Sequence, residues 1–402
     1  MADDVGNFQK TESKSKRQKT EEKDIFSNFA NKEKECRNLI RVVTDLISGS
    51  GIEPLIVCPL KITGANANLT RSFRSAVCLT EYYMKISDPT KPFTINIGSL
   101  FESGCAILME FFENKRVPKH EESRRALKRL IEFLTINDFS GLFDWNEKEN
   151  EAEWCVRLAQ HLFAPLSTSE SYIVDNSYEE SGLSTCPCSS KDEFRGTFGD
   201  TSFGCRNLWH GKADILFEAV PVVVSHCADS SDNESESSEA EASPDQLTTL
   251  EMKFRMRAQA IVFGFYQNRH HSGKLLVPSI GISKEKIVFR FYDSVNDVLL
   301  ETRALDLCSY EKNLSLHAVV LLWLTLNYRY FLSDTPESLE PYTSQFHRVF
   351  QSYIPTYRSN VMAPCHAMPL PTEKRLPKVP GEDIIDVEAV KQAITFKSIY
   401  DL

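Results

Sequence analysis

The sequence predicts an α/β domain of the α+β kind, with a mixed central sheet flanked by helices, a helical N-terminal region and a disordered acidic insertion. Three observations carry this. Helical apolar periodicity dominates residues 25–137 and returns from Glu151 to Phe163. From Lys212 onward the pattern changes to short β-branched or apolar runs. Within this second region, Asp229 to Asp245 holds seven acids and no Lys or Arg, a composition too polar to bury a core.

The bulk numbers bound the rest. A chain of 402 residues, 42% hydrophobic and 25% charged, has ordinary globular composition and the length of one large domain with appendages or of two domains. Taking those seven acids away from a net charge of −10 leaves −3, so the folded part is close to neutral. That excludes a globally basic nucleic-acid binder and leaves room for a local basic groove. Eleven cysteines, in contexts such as Val57-Cys58 and Val77-Cys78, read as small buried hydrophobes of a reducing compartment. The most apolar stretch, Ala318 to Leu326, is too short to span a bilayer. The N-terminus lacks the apolar core of a secretory signal. The expectation is a soluble intracellular protein with no membrane contact.

Residues 1–24 form a polar tail. Lys14, Lys16, Arg17 and Lys19 within it fit a nuclear-import cluster or a solvated tail, which places the protein in the nucleus or the cytoplasm, the nucleus slightly favoured. Residues 25–145 are expected to be a helical region. Asn68 would cap a helix through Leu69, Phe73, Val77 and Leu79–Tyr83, and Ser99 to Phe112 reads as another. Glu121 to Leu134 is the clearest, with Leu127, Leu130, Ile131 and Leu134 on one face. Its other face carries Arg124, Arg125, Lys128 and Arg129. These are either a nucleic-acid phosphate patch or the solvated outer face of a core helix.

Residues 146–335 are expected to be the α/β core, interrupted by the insertion at 228–246. A helix from Glu151 turns Trp154, Leu158 and Leu162 inward, and a loop-like stretch, Ser167 to Arg195, follows. Lys212–Phe217 and Val220–Val224 read as strands, then a helical run ends near Gln267. Leu275–Ile282 and Ile287–Tyr292 read as a hairpin, and Leu314–Leu332 as a buried helix. Residues 336–402 are a C-terminal extension, proline-rich and loosely packed from Met362.

The residues with chemical potential cluster around the insertion. Asp214 opens a strand, Glu251 and Lys253 follow the acidic stretch, and Gln259 heads an apolar helix. If residues 250–254 are a strand, Glu251 and Lys253 share a face, and Asp214 on a neighbouring strand can join them. Two carboxylates at one point offer hard oxygen ligands to Mg²⁺ or Mn²⁺, and a lysine beside the metal can orient or help deprotonate water. A second reading stays open. Leu247, Leu250, Phe254, Ala258, Ile261 and Phe265 lie on one helical stripe, and in a continuous helix Glu251 and Lys253 diverge.

The order Ala213-Asp214, then Glu251-Met252-Lys253, then Gln259, then Phe291-Tyr292-Asp293 resembles the PD-(D/E)XK nuclease superfamily over roughly residues 151–300. The resemblance implies an α-β-β-β-α-β core and Mg²⁺-dependent cleavage of nucleic-acid phosphodiester bonds. It also implies metal ligation by Asp214 and Glu251, water activation near Lys253, support from Gln259, and an outer-ligand role for Glu153. The competing expectation is an inactive scaffold on the same core, contacting protein or nucleic acid. The strand in which Glu-x-Lys would first be sought, 222–227, offers Ser225 and Cys227 instead.

Two further readings belong here. Cys186, Cys188, Cys205 and His210 could bind zinc, although their spacing fits no common finger. The insertion lies between the candidate ligands Asp214 and Glu251, where like-charge repulsion would screen a phosphate site; Ser231 and Ser238 each have an acid three residues on, and their phosphorylation would add to it. No phosphate-binding glycine loop or nucleophile elbow is present in the sequence.

Overall fold

Apolar residues on both faces of a sheet require cover on both, and the sheet of this protein is built that way. The computed structural model describes residues 25–49, 55–135, 142, 151–169, 171–177, 196–217, 220–225, 250–270, 276–283, 286–308 and 313–362. The expected basic tail, the acidic insertion 228–246 and the chain beyond Met362 lie outside the described residues.

Helix α1 (Glu33–Ser48) leads into strands β1 (Ile56–Ala65), β2 (Arg71–Ser72), β3 (Cys78–Tyr82), β4 (Met84–Lys85), β5 (Asp88–Pro92) and β6 (Ile95–Asn96). Helices α2 (Glu102–Asn114) and α3 (Glu121–Thr135) follow. Helix α4 (Glu151–Leu158) continues through a π-helical turn, Ala159–Phe163, to Leu166. Strands β7 (Tyr172–Asp175), β8 (Thr197–Gly199), β9 (Ser202–Gly204), β10 (Trp209–Lys212), β11 (Ile215–Phe217) and β12 (Val220–Ser225) precede the long helix α5 (Leu250–His270). Strands β13 (Leu276–Ser283), β14 (Lys286–Asp293), β15 (Val298–Thr302) and β16 (Leu305–Asp306) and helices α6 (Leu316–Leu326) and α7 (Ile354–Asn360) follow, with short helical turns at Tyr328–Phe331 and Phe346–Val349 between the two helices.

The main sheet has 11 strands, with a principal order of β3-β1-β15-β14-β13-β12-β11-β7-β8. Its neighbours along that path are antiparallel except β12 with β13 and β7 with β8. Parallel neighbours need a crossover, and α5 supplies it between β12 and β13. Because strand side chains alternate, Phe217, Val224, Ile280 and Leu300 turn to one face, packed with α1 to α4 and α6. Leu216, Val277, Tyr292 and Leu299 turn to the other, packed with α5 and α7. Helix α6 is buried from Ala318 to Leu326, and the Trp323 indole N–H donates to the Ala126 carbonyl of α3 at 2.7 Å, which satisfies the one polar atom of that side chain.

The α+β class, the β13–β14 hairpin and the buried α6 agree with the sequence expectation; the helical region at 25–145 does not. Strands β1 and β3 lie within it, and β1 pairs with β15, Val57 opposite Thr302. The expected division near residue 145 therefore does not divide the sheet. The helix expected over Leu69–Tyr83 is replaced by β2, a 3-10 turn at Phe73–Ser75, and β3. Of its supposed apolar stripe, Phe73 is buried while Leu69, Val77 and Leu79 are exposed. The run Cys78-Leu-Thr-Glu-Tyr82 pairs with β1 instead, and that tertiary pairing outweighs a weak local helical spacing. The extension after residue 336 is packed as far as Val361, with Phe346 and Tyr357 buried against α5.

Candidate functional site

Asp214 sits just before β11, its backbone locked between two strands. Its N–H donates to the Val222 carbonyl at 3.1 Å, and its carbonyl accepts from the Asp175 N–H at 3.0 Å. The side chain lies on the α5 face of the sheet, 1% exposed. One carboxylate oxygen, Oδ2, accepts the Val224 N–H at 2.8 Å, and Oδ1 accepts from Arg255 Nη2 of α5 at 2.7 Å. Burial pushes the Asp214 pKa above the ordinary carboxylate value, against the pull of Arg255 and of the Val224 N–H.

A second acid–base pair stands beside it. Asp175 ends β7, in the register position facing Asp214. Lys212 ends β10 and donates to Asp175 Oδ1 at 2.7 Å and to Asn176 Oδ1 at 2.6 Å. Gly211, at φ 145°, carries β10 past Phe73, whose ring atom would lie 3.0 Å from any Cβ there. The Lys212 carbonyl accepts from Gln259 Nε2 at 2.9 Å and from Arg255 Nη2 at 3.4 Å. Gln259 is fully buried, and its Oε1 has no hydrogen-bond partner. Strand β2 runs beside β10 and carries the exposed Arg71; Arg74, also exposed, acts on Asp214 through space.

Of the residues expected to share a metal centre, Asp214 and Gln259 meet at the Arg255–Lys212 cluster, while Glu251 and Lys253 do not. They occupy the first turn of α5, with Glu251 exposed and Lys253 half-buried. The strand expectation for 250–254 is corrected here, and the sheet supplies the reason. Strand β12 is already paired with β11 on one side and β13 on the other, so no slot remains for a strand carrying Glu-x-Lys. On β12 itself, the residue turned toward α5 is Val223, packed with Met252 and Met256. Among the described residues no group of three or more His, Cys, Asp or Glu is placed to hold a metal ion. The residues around Asp214 do not fit Mg²⁺ or Mn²⁺ ligation of the kind the resemblance implies.

The other candidates separate as well. Glu153 lies on α4, which packs on the opposite face of the sheet through the Phe163 and Phe217 rings, 5.6 Å apart. On α3, Arg124 is paired with Glu121, and Lys128 with Glu132 at 3.9 Å, so Arg124 and Lys128 are met by acids of their own helix; Arg125 is exposed and Arg129 half-buried. Cys205 is buried in the turn between β9 and β10, where its N–H donates to the Trp209 carbonyl, and His210 Nδ1 lies 3.0 Å from the Leu208 carbonyl. Cys186 and Cys188 lie outside the described residues.

Comparison of the chain with family models, with curated proteins and with solved structures gives no match. No helix among the described residues is long and apolar enough to cross a membrane.

Arg255, Lys212 and Asp175 are the members of the cluster that sequence reasoning missed. One signal for Arg255 was present. Arg255 and Arg257 interrupt the largely apolar run from Phe254 to Tyr266, and a cation at such a position needs a buried partner.

Proposed function

We propose that this chain is a non-catalytic scaffold on a nuclease-like core, contacting the phosphate backbone of nucleic acid without cutting it. One observation carries the reading: both oxygens of Asp214 are engaged, by Arg255 and by the Val224 N–H, while the strand beside it offers Val223 and no second carboxylate. With β8 to β10 set aside as an insertion, the order α4-β7-β11-β12-α5-β13, three antiparallel strands followed by a parallel one, supports the nuclease-like ancestry. The exposed Arg71 and Arg74 and the half-exposed Lys212 support the contact surface, since cations along a rim attract phosphate without reading sequence. The basic cluster at Lys14 to Lys19 agrees with a nuclear location.

The test is incubation of purified protein with plasmid, single-stranded DNA and RNA in the presence of Mg²⁺ or Mn²⁺. The expected result is no cutting, together with salt-sensitive binding by fluorescence anisotropy that R71E/R74E weakens about tenfold or more. Metal-dependent cutting that disappears in Asp214→Ala would overturn the scaffold reading. Absence of binding at low salt would overturn the phosphate contact and leave a protein-binding surface.

A further inference from the structure

We infer that the nucleic acid met by this cationic rim is RNA, and that His210 selects it by accepting a hydrogen bond from a ribose 2′-hydroxyl. This rests on the phosphate contact proposed above and names its substrate class. Strands β2, β10 and β9 form a three-stranded sheet of their own. Side chains alternate along a strand, so Trp209 is buried on one face while His210 and Lys212 share the other. Register places Ser72 of β2 opposite His210, and Ser202 of β9 opposite Lys212. Arg71 and Arg74 flank Ser72 in the chain, and both are exposed.

The His210 ring is held in one orientation, with Nδ1 3.0 Å from the Leu208 carbonyl oxygen. A carbonyl only accepts, so Nδ1 carries the proton of the neutral ring and Nε2 presents a lone pair. The side chain is half-buried, and Nε2 has no hydrogen-bond partner among the described residues. Ser72 Oγ directs its own proton to Ser75 Oγ at 3.4 Å, which leaves that hydroxyl as a second acceptor on the same face. The sugar–phosphate backbone of DNA contains acceptors and no donor, whereas RNA adds one donor per nucleotide, the 2′-hydroxyl. A fixed lone pair among phosphate-attracting cations therefore gains nothing from a DNA backbone and one hydrogen bond from an RNA backbone. Base amino groups donate as well, but proteins that read bases in single strands grip them by stacking. The outward face made by Ser72, His210, Lys212 and Ser202 holds no Phe, Tyr or Trp for that purpose.

The test measures fluorescence anisotropy of the full chain at low salt, with three labelled single strands of one sequence: RNA, DNA and 2′-fluoro RNA. The fluoro strand keeps the sugar pucker of RNA and cannot donate, which separates hydrogen bonding from shape. The expected result is RNA bound about five- to tenfold more tightly than either other strand. His210→Phe, which keeps a planar ring and removes the acceptor, should bring all three strands to the affinity of DNA. Equal binding of RNA and 2′-fluoro RNA by the unmodified chain would overturn the inference, whether or not the histidine variant folds. If R71E/R74E still weakened both, the phosphate contact would stand without it. A folded His210→Phe protein that kept the preference for RNA would overturn the role of His210. No binding of any strand would overturn the inference together with the phosphate contact beneath it.

Discussion

Two carboxylates are buried under the same helix, two residues of that helix apart, and their environments drive them in opposite directions. Asp214 meets one guanidinium, Arg255, at 2.7 Å. Glu301 on β15 meets two: Arg257 through a forked pair of 3.2 Å contacts, and Arg290 of β14 at 2.6 Å. Both acids are almost without solvent contact. For Asp214 the cost of burial outweighs one cation and the pKa rises. For Glu301 burial also opposes the charge, but two guanidiniums outweigh it and hold the pKa down at about 2. The contrast separates two uses of the same chemistry. The Glu301 triad is a sealed strut fixing α5 to β14 and β15. The Asp214 pair lies near a cationic rim and ends in an amide with an unsatisfied oxygen.

The sharpest way to break the comparison is Glu301→Gln. It leaves Arg257 and Arg290 buried without their shared carboxylate, and chemical denaturation should show a loss of about 3–5 kcal/mol. A slightly smaller effect is expected from acid alone. Glu301 has a folded pKa below its ordinary value of 4.5, so its contribution is present above that value and is lost as pH falls toward about 2. The loss should reach about 3 kcal/mol, and the Glu301→Gln protein should not show it. Asp214 carries the opposite sign. Its raised pKa gives a contribution present below 3.8 that is lost as pH rises through the folded value. Difference titrations of Asp214→Asn and Glu301→Gln against the parent should therefore slope in opposite directions.

Asp214→Asn should cost less than Glu301→Gln, about 1–3 kcal/mol, because Arg255 keeps some access to water and can relax toward it. An equal cost for the two substitutions would mean that the Asp214 pair is a strut as well. Smallest of all should be Gln259→Met, a change of similar volume that removes both the bond to Lys212 and the unbonded oxygen; a shift under about 1 kcal/mol is expected.

Much of the fold was legible because its periods are local. The hairpin expected at Leu275–Ile282 and Ile287–Tyr292 appears one residue shifted at its edges, and the apolar run in α6 is buried as its composition requires. Strands β1 and β3 were not legible, since what makes Cys78–Tyr82 a strand is its pairing with β1, which is in turn held by β15 far along the chain. At the site, Asp214 and Gln259 were found from their place in a pattern. Glu251 and Lys253 were misplaced because a Glu-x-Lys triplet fits a strand face as well as an exposed helical turn. The stripe from Leu250 through Phe254 to Phe265 held the correct answer, and the β12–β13 pairing decides it. Arg255 escaped because an arginine in a helix reads first as a surface residue, and only the fold shows the carboxylate beneath it.

The pairing of β1 with β15 also bears on how the chain is made. Val57 leaves the ribosome long before its partner Thr302, and at typical synthesis rates the wait is roughly 10–50 s. During that interval the edge of β1 that later pairs with β15 is open to any neighbouring nascent chain. Long-range pairing of this kind also slows folding once synthesis is complete. Expression truncated before residue 298 should therefore yield aggregates rather than a smaller folded unit, and slower translation should prolong the vulnerable period.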